Sequence, residues 1–361
     1  MLIKFLQKNG VNFPIHTSTS SLYFGKKNKN SSVDTFELQK KSVVDESEMS
    51  ECANKYPSDI EYKKTILDSM GILCVDTSLL TPIAGKQEYE AIVKRLNEFP
   101  DAYLPNGTQN NTDTAISISD LENVKNKKFR INSHVHTLYS DGCLSVEELL
   151  EQAKSYADLL ETSKSLDFPD IPFVICIADH NGVESSKRII EQILENPGRY
   201  DNFRIVLGSE ISTKEKSLGG KKLKMPIYPH IVTQFINPYS ETVSEYFNMV
   251  LQNGKDCCHA KAFSINQLVE KFKDEDCLYT LAHPVRTPNL ESNLSNMQLL
   301  MDLFKTSTGE KGFACEAYYG SYDDSLLNNE ECIQFIKDYA MKIGLNKTGG
   351  LDTHGTSIFF H

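Results

Sequence analysis

Six of the nine histidines in this 361-residue chain lie in a few short segments among which carboxylates recur, and that recurrence constrains the fold more than any other feature. The segments read S-H-V-H-T at 133–137 with Asp141 close behind, A-D-H at 178–180, G-S-E at 208–210, P-H at 229–230, A-H-P at 282–284 and L-D-T-H-G at 351–355. They supply nine candidate metal ligands: His134, His136, Asp141, His180, Glu210, His230, His283, Asp352 and His354. In an extended strand, residues i and i+2 point to the same side, so His134 and His136 can reach one ion; Asp352 and His354 repeat that spacing. Imidazole nitrogens supply neutral donors, and the carboxylates supply charge and can bridge two cations. No cysteine takes part. Such a set points away from a structural thiolate zinc site and toward catalytic Zn, Mn or Fe with positions open to water and substrate.

Widely separated ligands must be carried to one place by the fold. From residue 128 onward, short apolar runs alternate with amphipathic stretches. The expected strands are Phe129–Asn132, Phe173–Ala178, Arg204–Gly208, Ile231–Phe235, Cys277–Ala282, Gly312–Tyr318 and Gly344–Gly349. Segments such as Val146–Ala157, Val183–Leu194 and Asn329–Ile343 read as helices between them. This rhythm predicts an α/β fold with a largely parallel sheet or barrel. The ligand candidates fall at or just after strand C-termini, the rim where α/β barrels build their sites. Glu316 ends a strand at the same rim, where it either supports a ligand or bonds backbone.

Residues 1–127 read differently. The first 60 are rich in Ser, Asn and Lys and lack periodicity; 61–100 turn helical, with Tyr89, Ile92, Val93 and Leu96 at helical spacing; 105–127 form a polar linker. The expectation is a separate, partly helical N-terminal region, 1–127, ahead of a catalytic domain at 128–361.

The chain carries 38 basic and 49 acidic residues, net −11. Residues 1–127 hold 15 and 17 of them, leaving 23 and 32 in 128–361, so the histidine-bearing part is the acidic part at −9. That argues against a general binder of long nucleic acid or of an acidic membrane surface. Nine cysteines without a C-x-x-C pair, several in apolar runs, are expected to be reduced thiols. The N-terminal M-L-I-K-F-L-Q-K has no apolar stretch of signal-peptide length, and no run reaches membrane-spanning length, so a cytoplasmic location is expected, specialised secretion aside.

Taken together, H-V-H-T-x-x-S-D-G, A-D-H-N-G, G-S-E-I-S, P-H-I, A-H-P and G-G-L-D-T-H-G resemble the PHP (polymerase and histidinol phosphatase) family of metal-dependent phosphoesterases across about residues 128–358. The resemblance implies a distorted (β/α)7 barrel with two or three divalent ions at its C-terminal rim. It implies one ion on His134, His136, Glu210 and Asp352, a second on Asp141, His180 and His354, and a third on Glu210, His230 and His283. His180, Glu210 and Asp352 would then act at the reacting phosphate. Asp141 resembles the small-molecule phosphatase and nucleotide-hydrolase branches. Leu351 and Ala178 depart from the family's usual serine and threonine, and neither is a ligand. Relatives often continue into a closing helix beyond the last motif, a position that the helical stretch at 61–100 is a candidate to fill.

Two basic features remain. Arg286, just beyond His283-Pro284, is the first candidate to grip a phosphate, since its fork can bind two oxygens. The stretch K-E-K-S-L-G-G-K-K-L-K at 214–224 reads as a charged loop, either solvated or steering an anion toward the site. The expected substrate is a small phosphorylated molecule or nucleotide. Competing readings are an exonuclease acting on short 5′ ends, a carbon–nitrogen hydrolase, and a non-catalytic scaffold.

Overall fold

The run Phe173–Ile177 (F-V-I-C-I) is buried at every position, as a strand covered on both faces by other layers must be. In a computed structural model that describes residues 82–98, 130–162, 170–251, 262–287, 294–319 and 330–358, this segment is β2 of a mixed α/β fold. The other strands are β1 (Ile131–Val135), β3 (Phe203–Val206), β4 (Gly208–Ser212), β5 (Glu215–Leu218), β6 (Lys221–Ile227), β7 (His230–Gln234), β8 (Leu278–Leu281), β9 (Gly312–Tyr319) and β10 (Asn346–Gly350). The helices are α1 (Lys86–Asn97), α2 (Val146–Thr162), α3 (Glu184–Glu195), α4 (Glu241–Leu251), α5 (Ile265–Lys271), α6 (Leu294–Thr308) and α7 (Glu330–Lys342).

One sheet runs β1-β2-β3 and a second runs β10-β9-β8-β7-β4. Pairing is parallel except around β7, which is antiparallel to β4 and β8. Backbone bonds link the two sheets at both margins. His136 N–H donates to Thr353 O at 3.1 Å between β1 and the end of β10. Beyond β2, Glu210 N–H donates to Asp179 O at 3.0 Å and Asn181 N–H to Glu210 O at 2.9 Å. The segment expected as one strand, Arg204–Gly208, is two. β3 ends at Val206, and at Gly208 a Cβ would lie 2.8 Å from both Ile177 O and Thr233 O, so only glycine lets β4 restart against new neighbours. The 214–224 stretch is likewise no loop: it belongs to a separate antiparallel ribbon, β5–β6.

Helix α1 buries Tyr89, Ile92, Val93 and Leu96 in the same core as the strands. It crosses the strand ends opposite the histidines. Tyr89 accepts from Gln234 Nε2 at 2.8 Å and packs on Phe235 and Phe313. Asn97 exchanges two 3.1 Å bonds with the backbone of Lys347 at the start of β10. The expected boundary at 127 and the weakly patterned first 60 residues lie outside the described residues. Truncating Tyr89 to alanine is expected to cost about 3–5 kcal/mol, the range for removing a buried aromatic side chain. Chemical denaturation measures that loss, and metal binding at the opposite end of the strands should be unchanged.

Five described cysteines are free thiols: Cys143 is exposed, whereas Cys176, Cys277, Cys315 and Cys332 are buried. Among the described residues no helix is long and apolar enough to cross a membrane.

Candidate metal centre

Strand ends carry all nine predicted ligands to one rim. His134, His136, Glu210 and Asp352 place one donor atom each within 4.8 Å of one another, and so do His136, Asp141, His180 and His354. His180, Glu210 and His230 form a third such group, and His283 joins it through Nε2, 2.8 Å from Glu210 Oε1. These groups follow the ligand sets implied by the family resemblance, with His136 and His180 each standing in two. Arg286 is not among them. It lies exposed in the turn Pro284–Arg286, its N–H donating to His283 O.

Glu210 sits at the centre. Its Oε1 is 2.8 Å from both His230 Nδ1 and His283 Nε2. Its Oε2 lies 3.0 Å from His180 Nδ1, 3.1 Å from His134 Nε2 and 3.3 Å from His136 Nε2. Yet Oε2 and His180 Nδ1 are both buried without any hydrogen-bond partner. Buried polar atoms are almost always bonded. Donor atoms this close that do not bond each other are aimed at a shared point between them, which is what a cation requires. His134 Nε2 and His136 Nε2 also lie 3.0 Å apart; ligands about 2.1 Å from one ion are separated by about 3 Å.

The centre has a dry wall and a wet wall. The side chains of His134, His136 and Glu210 are fully buried, whereas Asp141 is 54% exposed, His354 25% and His180 20%. Solvent reaches the centre from that second side.

Further residues hold the ligands in place. Glu316, open between two roles in the sequence, plays both: its carboxylate lies 3.1 Å from His134 Nδ1, and it accepts from His283 N–H at 2.9 Å. A carboxylate on Nδ1 fixes the proton there and leaves Nε2 free to ligate. His354 Nδ1 likewise bonds Asp352 O at 2.9 Å. Gly350 permits this packing, since a Cβ there would lie 2.5 Å from Glu316 Oε1 and 2.7 Å from His134 Cβ. Asp352 (φ 50°), His283 (φ 21°) and Asn181 (φ 48°) hold left-handed backbone that non-glycine residues seldom adopt, so strain is concentrated at the rim.

Asp179, the middle residue of the A-D-H motif, has a role that the motif alone does not show. Its Oδ1 accepts from Thr137 N–H at 2.7 Å and Ser140 Oγ–H at 2.6 Å, and its Oδ2 from Thr137 Oγ1 at 2.7 Å. Ser140 Oγ in turn lies 3.3 Å from His136 Nδ1. Asp179 therefore clamps the loop that bears His136 and Asp141. Asp179→Ala should weaken metal affinity about 10–100-fold, as losing a supporting partner of a ligand does. A competition titration against a chelator reads this directly.

Burial opposes charge throughout, but opposite charges outweigh it. Glu210, Glu316 and Asp352 hold His134 well above the usual imidazole range. The carboxylates of Asp352 and Glu210 bring His136 to about 9. The surrounding histidines hold Glu210 and Asp352 well below the carboxylate range, also against burial. For His230 burial wins, and its pKa is lowered.

No protein-family model matches the chain, and no curated protein matches it. Solved structures do. An amidohydrolase from Chromobacterium violaceum, with bound sulfate and no metal, matches at 16% identity and a TM-score of 0.45, covering 63% of this chain and 88% of its own. A protein from Bifidobacterium adolescentis assigned as a metal-dependent phosphoesterase matches at 18% identity and 0.42 over the same shares. Endonuclease Q, in complex with a 27-mer duplex bearing an abasic lesion, matches at 14% and 0.30, covering 54% of this chain and 43% of its own. The structural neighbours of this chain thus include a metal-dependent phosphoesterase and an amidohydrolase. At these scores the likeness carries no functional weight, and what the site can do follows from its own geometry.

Proposed function

We propose that residues 128–361 form a PHP-type phosphoesterase domain, its seven rim-bearing strands acting as one distorted barrel, that hydrolyses a phosphomonoester of a small molecule or nucleotide with two or three divalent cations. The observation that carries this reading is Glu210 Oε2: a buried carboxylate oxygen within 3.3 Å of three histidine nitrogens that accepts no hydrogen bond. His134, His136, Glu210 and Asp352 would hold one cation; Asp141, His180 and His354, with His136, a second; Glu210, His230 and His283 a third. The donor set suits Zn, Mn or Fe. When bound, such ions neutralise phosphoryl oxygens and make water acidic enough to supply hydroxide near neutral pH.

The chain's own residues do the rest. Glu210 and Asp352 place fixed negative charge in the dry wall. Asp141, His180 and His354 face solvent and meet the substrate side. Leu138 and Tyr139, 62% and 52% exposed on the loop leading to Asp141, offer an apolar and aromatic surface on which a nucleobase can lie. Arg286 stays a candidate for the phosphate as an exposed side chain on the turn that leaves His283.

The test is to purify the full chain, count its metals and assay phosphate release from a phosphomonoester panel with Mn, Zn or Fe. His180→Ala is expected to lower release by about 10²–10³-fold, the size of losing one electrostatic contact at a reacting centre. Fewer than two metals per chain, with release no greater than that variant's, would sink the proposal.

A further inference from the structure

We propose that the β5–β6 ribbon is a docking surface for the phosphate backbone of a short single-stranded nucleic acid whose end lies at the metal rim. The ribbon leaves β4 five residues after Glu210 and rejoins the rim three residues before His230, so its base belongs to the centre itself. It carries five lysines, 214, 216, 221, 222 and 224, against one glutamate. That glutamate, Glu215, is buried, with Oε1 accepting from Ile265 N–H at 2.7 Å. A net +4 is thus carried by a ribbon whose base adjoins the rim, in a chain whose overall charge is −11.

Lys216, Lys221, Lys222 and Lys224 are exposed, and none makes an ion pair with any described residue, although acidic side chains outnumber basic ones. Elsewhere the half-buried Lys154 and Lys187 and the exposed Lys273 find carboxylates, whereas the exposed Lys94, Lys271 and Lys342 stand singly without one; the ribbon differs in gathering four such lysines in one place. The ribbon is also fixed. Leu218 is buried in the core, Leu223 packs against it, and Gly219 sits against Leu299 of α6. Lys222 and Lys224, two residues apart on one strand, project to the same side about 6–7 Å from each other. At that distance they meet separate charges rather than share one, which suits phosphates strung along a strand better than a single phosphate. Lysines on a ribbon edge also deter pairing with another chain, but that role requires neither the rim position nor such an excess. The ribbon's length limits the strand to a few nucleotides, which agrees with the acidity of the rest of the domain.

Binding is measured by fluorescence anisotropy of a labelled single-stranded oligonucleotide with the full-length, metal-loaded chain. The comparison is the variant carrying Lys216→Gln, Lys221→Gln, Lys222→Gln and Lys224→Gln, together with the corresponding four-arginine variant. The glutamine variant should bind about tenfold or more weakly near 0.1 M salt. Its log K against log salt slope should shrink by about 0.7 for each phosphate no longer neutralised, and the arginine variant should match the parent. Circular dichroism and metal content should be the same for all three. Equal affinity and slope for the parent and the glutamine variant would overturn the proposal. So would tighter binding to phosphatidylserine vesicles than to the oligonucleotide, or displacement by inorganic polyphosphate at lower phosphate concentration than by unlabelled strand. The catalytic consequence rests on the phosphoesterase reading: the glutamine variant should lose kcat/KM on a terminally phosphorylated oligonucleotide about tenfold and change less than twofold on a nucleoside monophosphate. If no chain releases phosphate from either substrate, that reading fails while the anisotropy still decides the docking surface.

Discussion

Glu210→Gln is expected to strip the centre of most of its metal and to lower phosphate release by about 10³-fold, at the upper end for deleting one electrostatic element of a reacting site. Glutamine preserves the shape of the side chain, so packing against β7 is kept. What changes is charge and polarity. One carboxylate oxygen faces His134, His136 and His180, and the other faces His230 and His283. An amide must turn its N–H₂ toward one of these groups and so present a donor where a cation has to sit. All three ligand groups are touched, because Glu210 stands in two of them and His136 and His180 link the third to it. Elemental analysis and the phosphomonoester assay check the outcome. Retention of the full metal complement with activity within tenfold of the parent would remove Glu210 from the centre of the mechanism.

Much of the site is legible in the sequence because its ligands come in pairs set by strand geometry. His134 and His136 lie on or just beyond β1, as their i, i+2 spacing anticipates. The expected strand nevertheless begins at Phe129 and ends at Asn132, whereas β1 runs from Ile131 to Val135. Asn132, Ser133 and His134 are poor strand formers, and the side chains of the first two bond distant partners: Asn132 Nδ2 donates to Ile358 O at 2.9 Å, and Ser133 Oγ to Gly349 O at 3.0 Å. No local pattern reports such bonds. The β5–β6 ribbon is hidden for another reason. Only Leu218 and Ile227 are fully buried on its apolar side, no period-two alternation marks its strands, and its lysines dominate the pattern. Gly219 and Gly220, with φ of 57° and 74°, are the left-handed pair that a tight hairpin demands. Helix α1 is visible as four apolar residues at helical spacing. That it closes the strand ends opposite the centre depends on a contact between Tyr89 and Gln234 across 145 residues.

The second large effect is a dependence of metal-induced stabilisation on pH, with metal-free protein losing stability as pH rises and metal-loaded protein keeping it. In the metal-free chain, burial disfavours the charged ring of His136, but the carboxylates of Asp352 and Glu210 outweigh it and raise the pKa from 6.5 to about 9. His134 moves the same way. A folded-state pKa above the unfolded value means stability fully present below about pH 6.5 and lost as pH rises through about 9. Glu210 and Asp352 are depressed, so their contribution is present above the ordinary carboxylate range and lost only as pH falls well below it. Metal-free protein should therefore be most stable at mildly acidic pH and lose stability between pH 6.5 and 9. A cation competes for the same nitrogens. Each proton it displaces makes its affinity rise about tenfold per pH unit until the imidazole is neutral, which widens the stability gap between metal-loaded and metal-free protein by about 1.4 kcal/mol per unit and per proton. The proton on His136 is displaced, and the raised pKa of His134 acts in the same direction. The difference in Tm between metal-loaded and chelated protein should widen steeply from pH 6 to pH 8, while the chelated Tm falls. Thermal unfolding across that range, at fixed free metal, measures both curves. A difference that is flat with pH, or that narrows, would mean that His134 and His136 are not where the cation binds.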